Sequence, residues 1–450
     1  MPISSFYGMQ TSLRGLIAQQ RMIDTTGHNI ANASTVGYSR QEATLAASRA
    51  LQVQVSGSLT STGAHLGSGV DVQTFRRIRD QFLDLQYRGQ NTSLNDWKAQ
   101  TEALDTAELA LAEPGDNGIS AQLANFWAAW SELSKSPDSE AAKQALVQKA
   151  GALTDTIHTV RSQMVAAQEA AQGQYDSIVG SGGEVEKIAT ELASLNRSIS
   201  GFLMNGDSPN DLMDRRDVLL DQLSGYGQIS VEQLAGGSLN VSFVDATNGT
   251  TYPIVSDQTV DWAGAPAGGW NPGGAMGGLL TVAKVPGGTI EGYLASIDSF
   301  SKNLADAVNG AYGGSFFTYG SPGEGASIQV AAAIQAAPNS ITSGTGASGS
   351  NDLALAVSQL RGNAAIDGAY KAFVAKVGGD LNNATRMQAN AQVLADSVEN
   401  RRQSVQGVSM DEEMSNLVRF QRAYQASARA MSTMDEMLDV LINRTGRVGL

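Results

Sequence analysis

Asp207, Asp211, Asp214, Asp217 and Asp221 are mostly three or four residues apart, so several of these carboxylates share one helix face. Carboxylates grouped in that way can hold a divalent cation. The ligand spacing and the glycine of an EF-hand loop are missing, however. Arg215 and Arg216 lie inside the cluster, and the expected arrangement is a solvated face with local ion pairs to them. The histidines, His28, His65 and His158, are too few for a histidine-rich metal site. His28 stands near the end of an N-terminal helical pattern and His158 within a helical face. Neither belongs to a nucleophile motif. The absence of Cys removes thiolate catalysis, disulfides, zinc–thiolate sites and iron–sulfur clusters. The glycine-rich stretches contain no G-x-x-x-x-G-K-[ST] and no dinucleotide fingerprint, and H-E-x-x-H does not occur. Trp127 and Trp130, at i and i+3 in Asn125–Trp130, read as bundle core and not as a sugar platform. No catalytic, cofactor-binding or metal-ligating residue is assigned, no cofactor is expected, and the chain is read as a non-enzyme.

The chain-wide numbers point the same way. A length of 450 residues allows roughly two to four domains. Charged residues make up only 16%, and 30 Lys+Arg against 44 Asp+Glu leave a net charge of -14. An acidic chain without a basic block is a poor partner for nucleic acid or an anionic membrane surface. No apolar run approaches a bilayer span, so no membrane insertion is expected. The segment MPISSFYGMQTSLRGLIAQQ has neither a basic n-region nor a continuous apolar h-region. A cleaved Sec-type signal is therefore not expected. That fits a cytoplasmic protein, or export by a system that reads an uncleaved terminus.

The elements that place these residues are mainly helical. Phe6, Met9, Leu13, Leu16, Gln20, Ile23, Gly27 and Ile30 are spaced alternately by three and four residues, a heptad seam for a partner helix. The turn formers Asn32–Gly37 stop it. Met410, Met414, Leu417, Gln421, Tyr424, Ala428, Met431, Met434, Leu438 and Leu441 keep nearly the same period, over a helix expected from about Met410 to Asn443. Asp411, Glu412 and Glu413 at its start and Arg444 and Arg447 at its end suit the helix dipole. Gln20 and Gly27 weaken the first seam, and Met and Ala make the second adaptable. Such a pair is marginal alone and gains stability from burial on assembly.

Further helices are expected over Ile78–Leu111, Ser120–Ser134, Ser139–Gln172, Glu184–Leu203, Asp207–Leu223, Ile290–Ala311, from Asp352 onward and over Ala365–Val405. Alternation in Leu51–Val55 and Val70–Val72 predicts a β-hairpin near 45–75. Roughly half of the glycines fall in residues 225–349, and Lys284 is the only base between Asp217 and Ser301. Strand-like pieces appear at Gln228–Gln233, Ser238–Val244, Tyr252–Val255, Thr259–Trp262 and Leu279–Val285. Pro338–Asn351 reads as a flexible loop. The expected fold is mainly α with a β-rich insertion, nested so that the termini pair. A terminal coiled coil (1–40 with 410–450) is followed by an elongated helical bundle (41–224 with 290–409). The insertion (225–289) is an outer β domain.

Residues Asn29–Gln41, NIANASTVGYSRQ, closely resemble the N-terminal signature of the flagellar rod, hook and hook-associated axial proteins. Met410–Leu417 and Gln421–Arg429 resemble the matching C-terminal signature. Arg79–Arg88, Glu113-Pro114 with Gly118–Ser120 and Phe126–Trp130, and Asn210–Asp217 resemble hook-associated protein 1 members, which form the first hook–filament junction layer. The resemblance covers residues 1–225 and 290–450; the glycine-rich insertion matches poorly.

The resemblance implies a structural part of the bacterial flagellum, lying outside the cell after unfolded type III export without a cleaved signal. It implies head-to-tail packing of the terminal helices into a ring or helical layer of like subunits. The implied neighbours are the hook protein and the second hook–filament junction protein. An export chaperone on the C-terminal helix is also implied, against Leu417, Phe420, Tyr424, Met431, Leu438 and Leu441. The assembly interface is expected at Leu13, Leu16, Ile23, Ile30, Asn32, Gly37, Tyr38, Met414, Leu417, Phe420, Tyr424, Met431, Leu438 and Leu441. The competing readings are another axial protein (hook or distal rod) and a secreted adhesin. In the latter, residues 225–289 would carry glycan binding or an enzymatic activity, although the absence of paired catalytic groups near Trp262 and Trp270 weighs against an enzyme.

Overall fold

The computed structural model describes residues 6–53, 64–266, 269–321 and 323–444. The first heptads fold as α1 (Tyr7–Ala31), and Asn32 closes the helix by donating from its backbone and side-chain amides to the His28 carbonyl. A two-step hairpin follows. Strand β1 (Gln41–Ala47) is joined through β2 (Leu51–Val53) and β3 (Ala64–Leu66) to β4 (Val70–Arg77). β1 pairs antiparallel with β4 from Gln41–Arg77 to Ala47–Val70, and β2 pairs with β3. Pairing thus begins at Gln41, ahead of the alternating text. Of that text, Gln54 and Val55 lie outside the described residues.

Helices α2 (Gln81–Leu111), α3 (Ile119–Lys135), α4 (Glu140–Val179), α5 (Glu184–Met204) and α6 (Asn210–Tyr226) come next. Side-chain caps start two of them: Asp80 accepts from the Phe82 amide and Ser139 from the Ala142 amide. A four-stranded antiparallel meander follows, β5 (Ile229–Gln233), β6 (Leu239–Val244), β7 (Thr251–Ser256) and β8 (Thr259–Val260), in that spatial order. In β6 the buried residues Leu239, Val241 and Phe243 alternate with half-buried ones, as a sheet with one covered face requires.

The expected strand at Leu279–Val285 is instead the C-terminal part of a helix, α7 (Gly274–Ala283), which packs against α2 and α4. The run GAMGGLLTVA is apolar on all sides. Such a run cannot be read as strand or helix from its period, and the burial of most of its residues suits a core helix. Gly278 lets it come close to α2: an added Cβ would clash with the Asp96 carbonyl oxygen.

The chain continues through α8 (Thr289–Tyr312), β9 (Phe317–Thr318), α9 (Glu324–Ser327), β10 (Gln329–Val330) and α10 (Ala332–Ala336). Residues Pro338–Asn351, read as a flexible loop, are tied down. Ser343 Oγ donates to the Pro137 carbonyl, Ser348 Oγ to Asp138, and Asn351 Nδ2 to the Ser134 carbonyl. Asp352 gathers the Ser350 and Thr345 hydroxyls and the Thr345 amide, which hold its carboxyl down at about 2. Then come α11 (Asp352–Ser358), a π-turn, and two long helices, α12 (Ala369–Gln406) and α13 (Met410–Asp439).

The protein is mainly helical with small sheets. One buried cluster runs from Ala99 to Ala384, joining α2–α8, the meander and α12. Trp127 and Trp130 sit at its centre against Phe126 and Phe316. Each large side chain buried there contributes about 1.5–3 kcal/mol. The meander is fastened to α4 by Trp262 Nε1 on the Val179 carbonyl and Trp270 Nε1 on the Tyr175 hydroxyl. No residue of α1 or α13 belongs to this cluster.

Candidate functional site at the base of the terminal helix pair

Helices α1 and α13 pack antiparallel, and the register follows from residues facing each other. Gly8 lies under Met434, Gly15 under Ser427, and Asn29 Nδ2 donates to Glu413 Oε2 at 3.2 Å. The line of contact on α1 is therefore Gly8, Gly15, Ala18, Thr26 and Asn29, mostly small or polar residues. At about 100° per residue, the apolar heptad Phe6, Leu13, Leu16 and Ile23 points to a different side. The hairpin occupies a third side, where Arg14 pairs with Asp71 at 3.7 Å. The expected seam is thus real as a stripe, but α13 does not cover it.

Each expected interface residue has a definite place. On α1, Leu13 is 43% exposed, while Leu16, Ile23 and Ile30 are half-buried. On α13, Met414 is 50% exposed, and Leu417, Phe420, Tyr424 and Met431 are half-buried. Leu438 is buried, and Leu441, in the final turn, is exposed. Met410, Met414 and Gln421 face solvent because Glu413, not Met414, takes the inner position at the start of α13.

The remaining three, Asn32, Gly37 and Tyr38, form the turn that joins the pair to the bundle. Buried Asn29 closes this turn: its side chain donates to the Gln41 carbonyl and accepts from the Gln41 amide, both at 2.9 Å. The Tyr38 hydroxyl donates to Asn29 Oδ1 at 2.7 Å and lies 3.0 Å from His28 Nδ1. Burial, with Asp211, Asp214 and Glu413 nearby, pushes the Tyr38 phenol well above its ordinary range. Gly37 has φ +78°, and Val218 of α6 fills the space where a Cβ would stand. The Arg40 amide donates to the Gln406 carbonyl, and Arg40 Nη1 pairs with Glu412 at 2.8 Å, so this turn also grips the α12–α13 link.

Beneath the turn the aspartates find their partners. They are not Arg215 and Arg216, as the local reading expects. Arg215 pairs with Glu191, and buried Arg216 donates to the Gly237 carbonyl and Asn196 Oδ1. Burial pushes the Arg216 guanidinium down to about 10. Asp214 and Asp217 instead accept from Arg77 at 2.8 and 2.7 Å, and Asp217 and Asp221 from Arg88 at 3.3 and 2.8 Å. Arg79 holds Asp84 at 2.7 and 3.0 Å. Arg402 of α12 reaches Asp221 and Glu399 and stacks 4.0 Å from the Tyr87 ring. Asp214 Oδ2 also accepts from the Ser39 amide at 3.0 Å. Asp207, in contrast, is exposed and outside this knot.

Burial raises the Asp217 carboxyl, but Arg79, Arg77 and Arg88 together outweigh burial and hold it below the usual carboxylate range. Asp214 goes the other way, because burial dominates over Arg77. Sequence reasoning missed these arginines as partners. A signal was present: Arg76, Arg77, Arg79 and Arg88 crowd together in a chain poor in bases. What the arrangement can do is mechanical. It locks the end of the hairpin, α2, α6 and α12 into one rigid base and sets the helix pair on it. Among the described residues no group of His, Asp and Glu forms a metal site, and no helix is long and apolar enough to cross a membrane.

Comparison with known proteins agrees with this geometry. Residues 9–38 match the family model for flagella basal body rod protein, and 399–444 match the flagellar basal body rod FlgEFG protein C-terminal model. Both matched segments lie at the helix pair and its anchor, which makes the chain an axial structural protein of the bacterial flagellum. Residues 104–325 match the flagellar hook-associated protein FlgK helical domain. Flagellar hook-associated protein 1 of Bacillus subtilis is 29% identical, over 98% of this chain and 99% of its own length. Its Escherichia coli counterpart is 23% identical over 97% of this chain and 99% of its own. Over nearly its whole length the chain is thus similar to flagellar hook-associated protein 1. Among solved structures, the flagellar hook junction protein FlgK of Burkholderia pseudomallei aligns with a TM-score of 0.44 at 19% identity, over 52% of this chain and 47% of that one.

Proposed function

We propose that this protein forms the junction layer between hook and filament, and that the uncovered apolar stripe of α1 is its main assembly surface. The observation that carries this reading is the mismatch on α1. Its contact with α13 uses Gly8, Gly15, Ala18, Thr26 and Asn29, while Leu13 of the stripe remains 43% exposed. A soluble monomer gains nothing from a heptad stripe in water; a layer of like subunits covers it. Head-to-tail packing that does not close on itself generates such a layer. The neighbours on either side are the hook protein and the second hook–filament junction protein.

The terminal coiled coil, the bundle and the 225–289 region serve as successive shells from the axis outward. The chain leaves the cell unfolded by type III export and works outside it, as a structural protein and not an enzyme. Its lack of Cys suits threading in that state. Before α1 docks, the inner face of α13, with Leu417, Phe420, Tyr424, Met431 and Leu438, is an amphipathic ligand for a chaperone groove. The ionic base and the Asn32–Gln41 turn fix the angle at which the terminal pair leaves the bundle, so that a bending hook does not deform the next layer.

The test is the double substitution Leu13→Asp with Leu16→Asp. It should abolish incorporation into isolated hooks and filament attachment while leaving the thermal transition of the bundle near wild type. Normal filaments in cells carrying that variant would refute the proposal.

A further inference from the structure

Oxidisable sulfur is concentrated where the two ends of the chain meet. With no Cys, methionine carries all of the sulfur, and seven of the 13 methionines lie in α1 and α13. Met164 and Met276 are sealed in the bundle core, whereas Met410, Met414 and Met437 of α13 are exposed. Met434 differs from both groups. It is half-buried, and its Sδ and terminal methyl lie against Gly8 of α1, in the space that a Cβ there would need. Of the contacts that set the register of the pair, Gly15–Ser427 and Asn29–Glu413 involve polar side chains. Gly8–Met434 is the apolar one. It lies at the end of the pair away from the ionic base, where neither helix draws support from the main buried cluster.

We infer that Met434 is an oxidation-sensitive latch: hydrogen peroxide converts its thioether to the sulfoxide, and the modified chain no longer closes α1 onto α13 at this end. A sulfur lone pair attacks one peroxide oxygen. The O–O bond breaks as the S–O bond forms, and the proton of the transferred oxygen joins the departing hydroxide as water. The sulfur gives up two electrons and the peroxide takes them, so no further reactant is needed. The product carries a strongly polar oxygen on the very atom that packs on Gly8. Backbone N–H and C=O groups of a helix point along its axis, so an oxygen approaching α1 from the side meets no donor. The sulfur must press this oxygen against the helix or rotate off the glycine to reach water. Either way the apolar contact is lost, and the pair keeps only its polar ones. The exposed methionines take up oxygen as readily, but their sulfur holds no such place between the helices. The inference rests on the assembly reading above and adds a chemical control on it: a free copy oxidised at Met434 cannot join the layer.

The test treats the purified full-length protein with graded hydrogen peroxide, maps the oxidised methionines by peptide mass, and measures joining to isolated hooks from cells that lack the chain. Oxidised wild type should join several-fold less. The loss should follow the oxidised fraction of Met434 and not that of Met410, Met414 or Met437. Met434→Leu keeps an apolar side chain over Gly8 and should join equally well before and after the treatment, whereas Met437→Leu should stay as sensitive as wild type. Incubating oxidised wild type with the two methionine sulfoxide reductases and a thiol should restore joining; the chain has no Cys for the thiol to act on. Undiminished joining by protein oxidised at Met434 overturns the inference, and so does an equal loss in oxidised Met434→Leu. Should Met434→Leu fail to join even before oxidation, the reductase arm decides: joining that does not return once Met434 is reduced overturns the latch. All of these outcomes leave the assembly role standing, whereas untreated wild type that does not join the hooks removes both.

Discussion

Asp217 shows how strongly single residues are committed to this base. It is enclosed by Arg77, Arg79 and Arg88, and its carboxyl is held below the ordinary range. A carboxylate whose folded pKa lies below its unfolded value of about 3.9 adds stability that is complete above that value and is lost as the pH falls through the folded one. Asp214, raised by burial, has the opposite sign and is relieved by protonation. Asp217→Asn separates them. It should destabilise the bundle at neutral pH by about 3–5 kcal/mol, because buried guanidiniums lose their counter-charge. It should also flatten the loss of stability below pH 4, and denaturant titrations at pH 3 and pH 7 measure both. The carboxylate cluster was legible in the sequence; its partners were not. Arg79 and Arg402 lie far from Asp217 along the chain, and helical spacing reports only neighbours within one element.

Among the elements, α7 was the least legible, and it packs closely against α2. The text GAMGGLLTVA has no polar side to give a period, so it reads equally as strand or helix. The glycines were the missed clue. Gly278 allows α7 to touch the backbone of α2 at Asp96, beside Ala99. Gly278→Val should therefore force the helices apart and cost about 1–3 kcal/mol, seen as a lower Tm with the far-ultraviolet helical signal retained. The terminal heptads teach the converse. The 3-4 stripe on α1 was plainly written, and so was its need for a partner. Which side α13 would take was not, because small residues such as Gly8 and Gly15 carry no hydrophobic signal yet permit the close approach.

For the molecule as a whole, the buried cluster and the helix pair have separate sources of stability. The cluster holds the large aromatic and aliphatic side chains from Ala99 to Ala384, and the pair buries only Ala18, Thr26, Asn29, Glu413 and Leu438. In a dilute monomer, amide hydrogen exchange should be fast over 7–28 and 417–439 and slow over 146–179. Equal protection of both regions would show that the pair does not depend on neighbours. On assembly the difference should vanish.

The ionic knot draws on residues 77–88, 214–221 and 399–402, three stretches spread over most of the chain. A polypeptide that breaks off before residue 399 has its aromatic interior but leaves Asp84 and Asp221 short of a counter-ion, and its N-terminal helix keeps only the hairpin to lie on. The base thus acts as a check of completeness: only a finished copy can present a properly angled stalk, and a fragment is marked as defective by its own misfit.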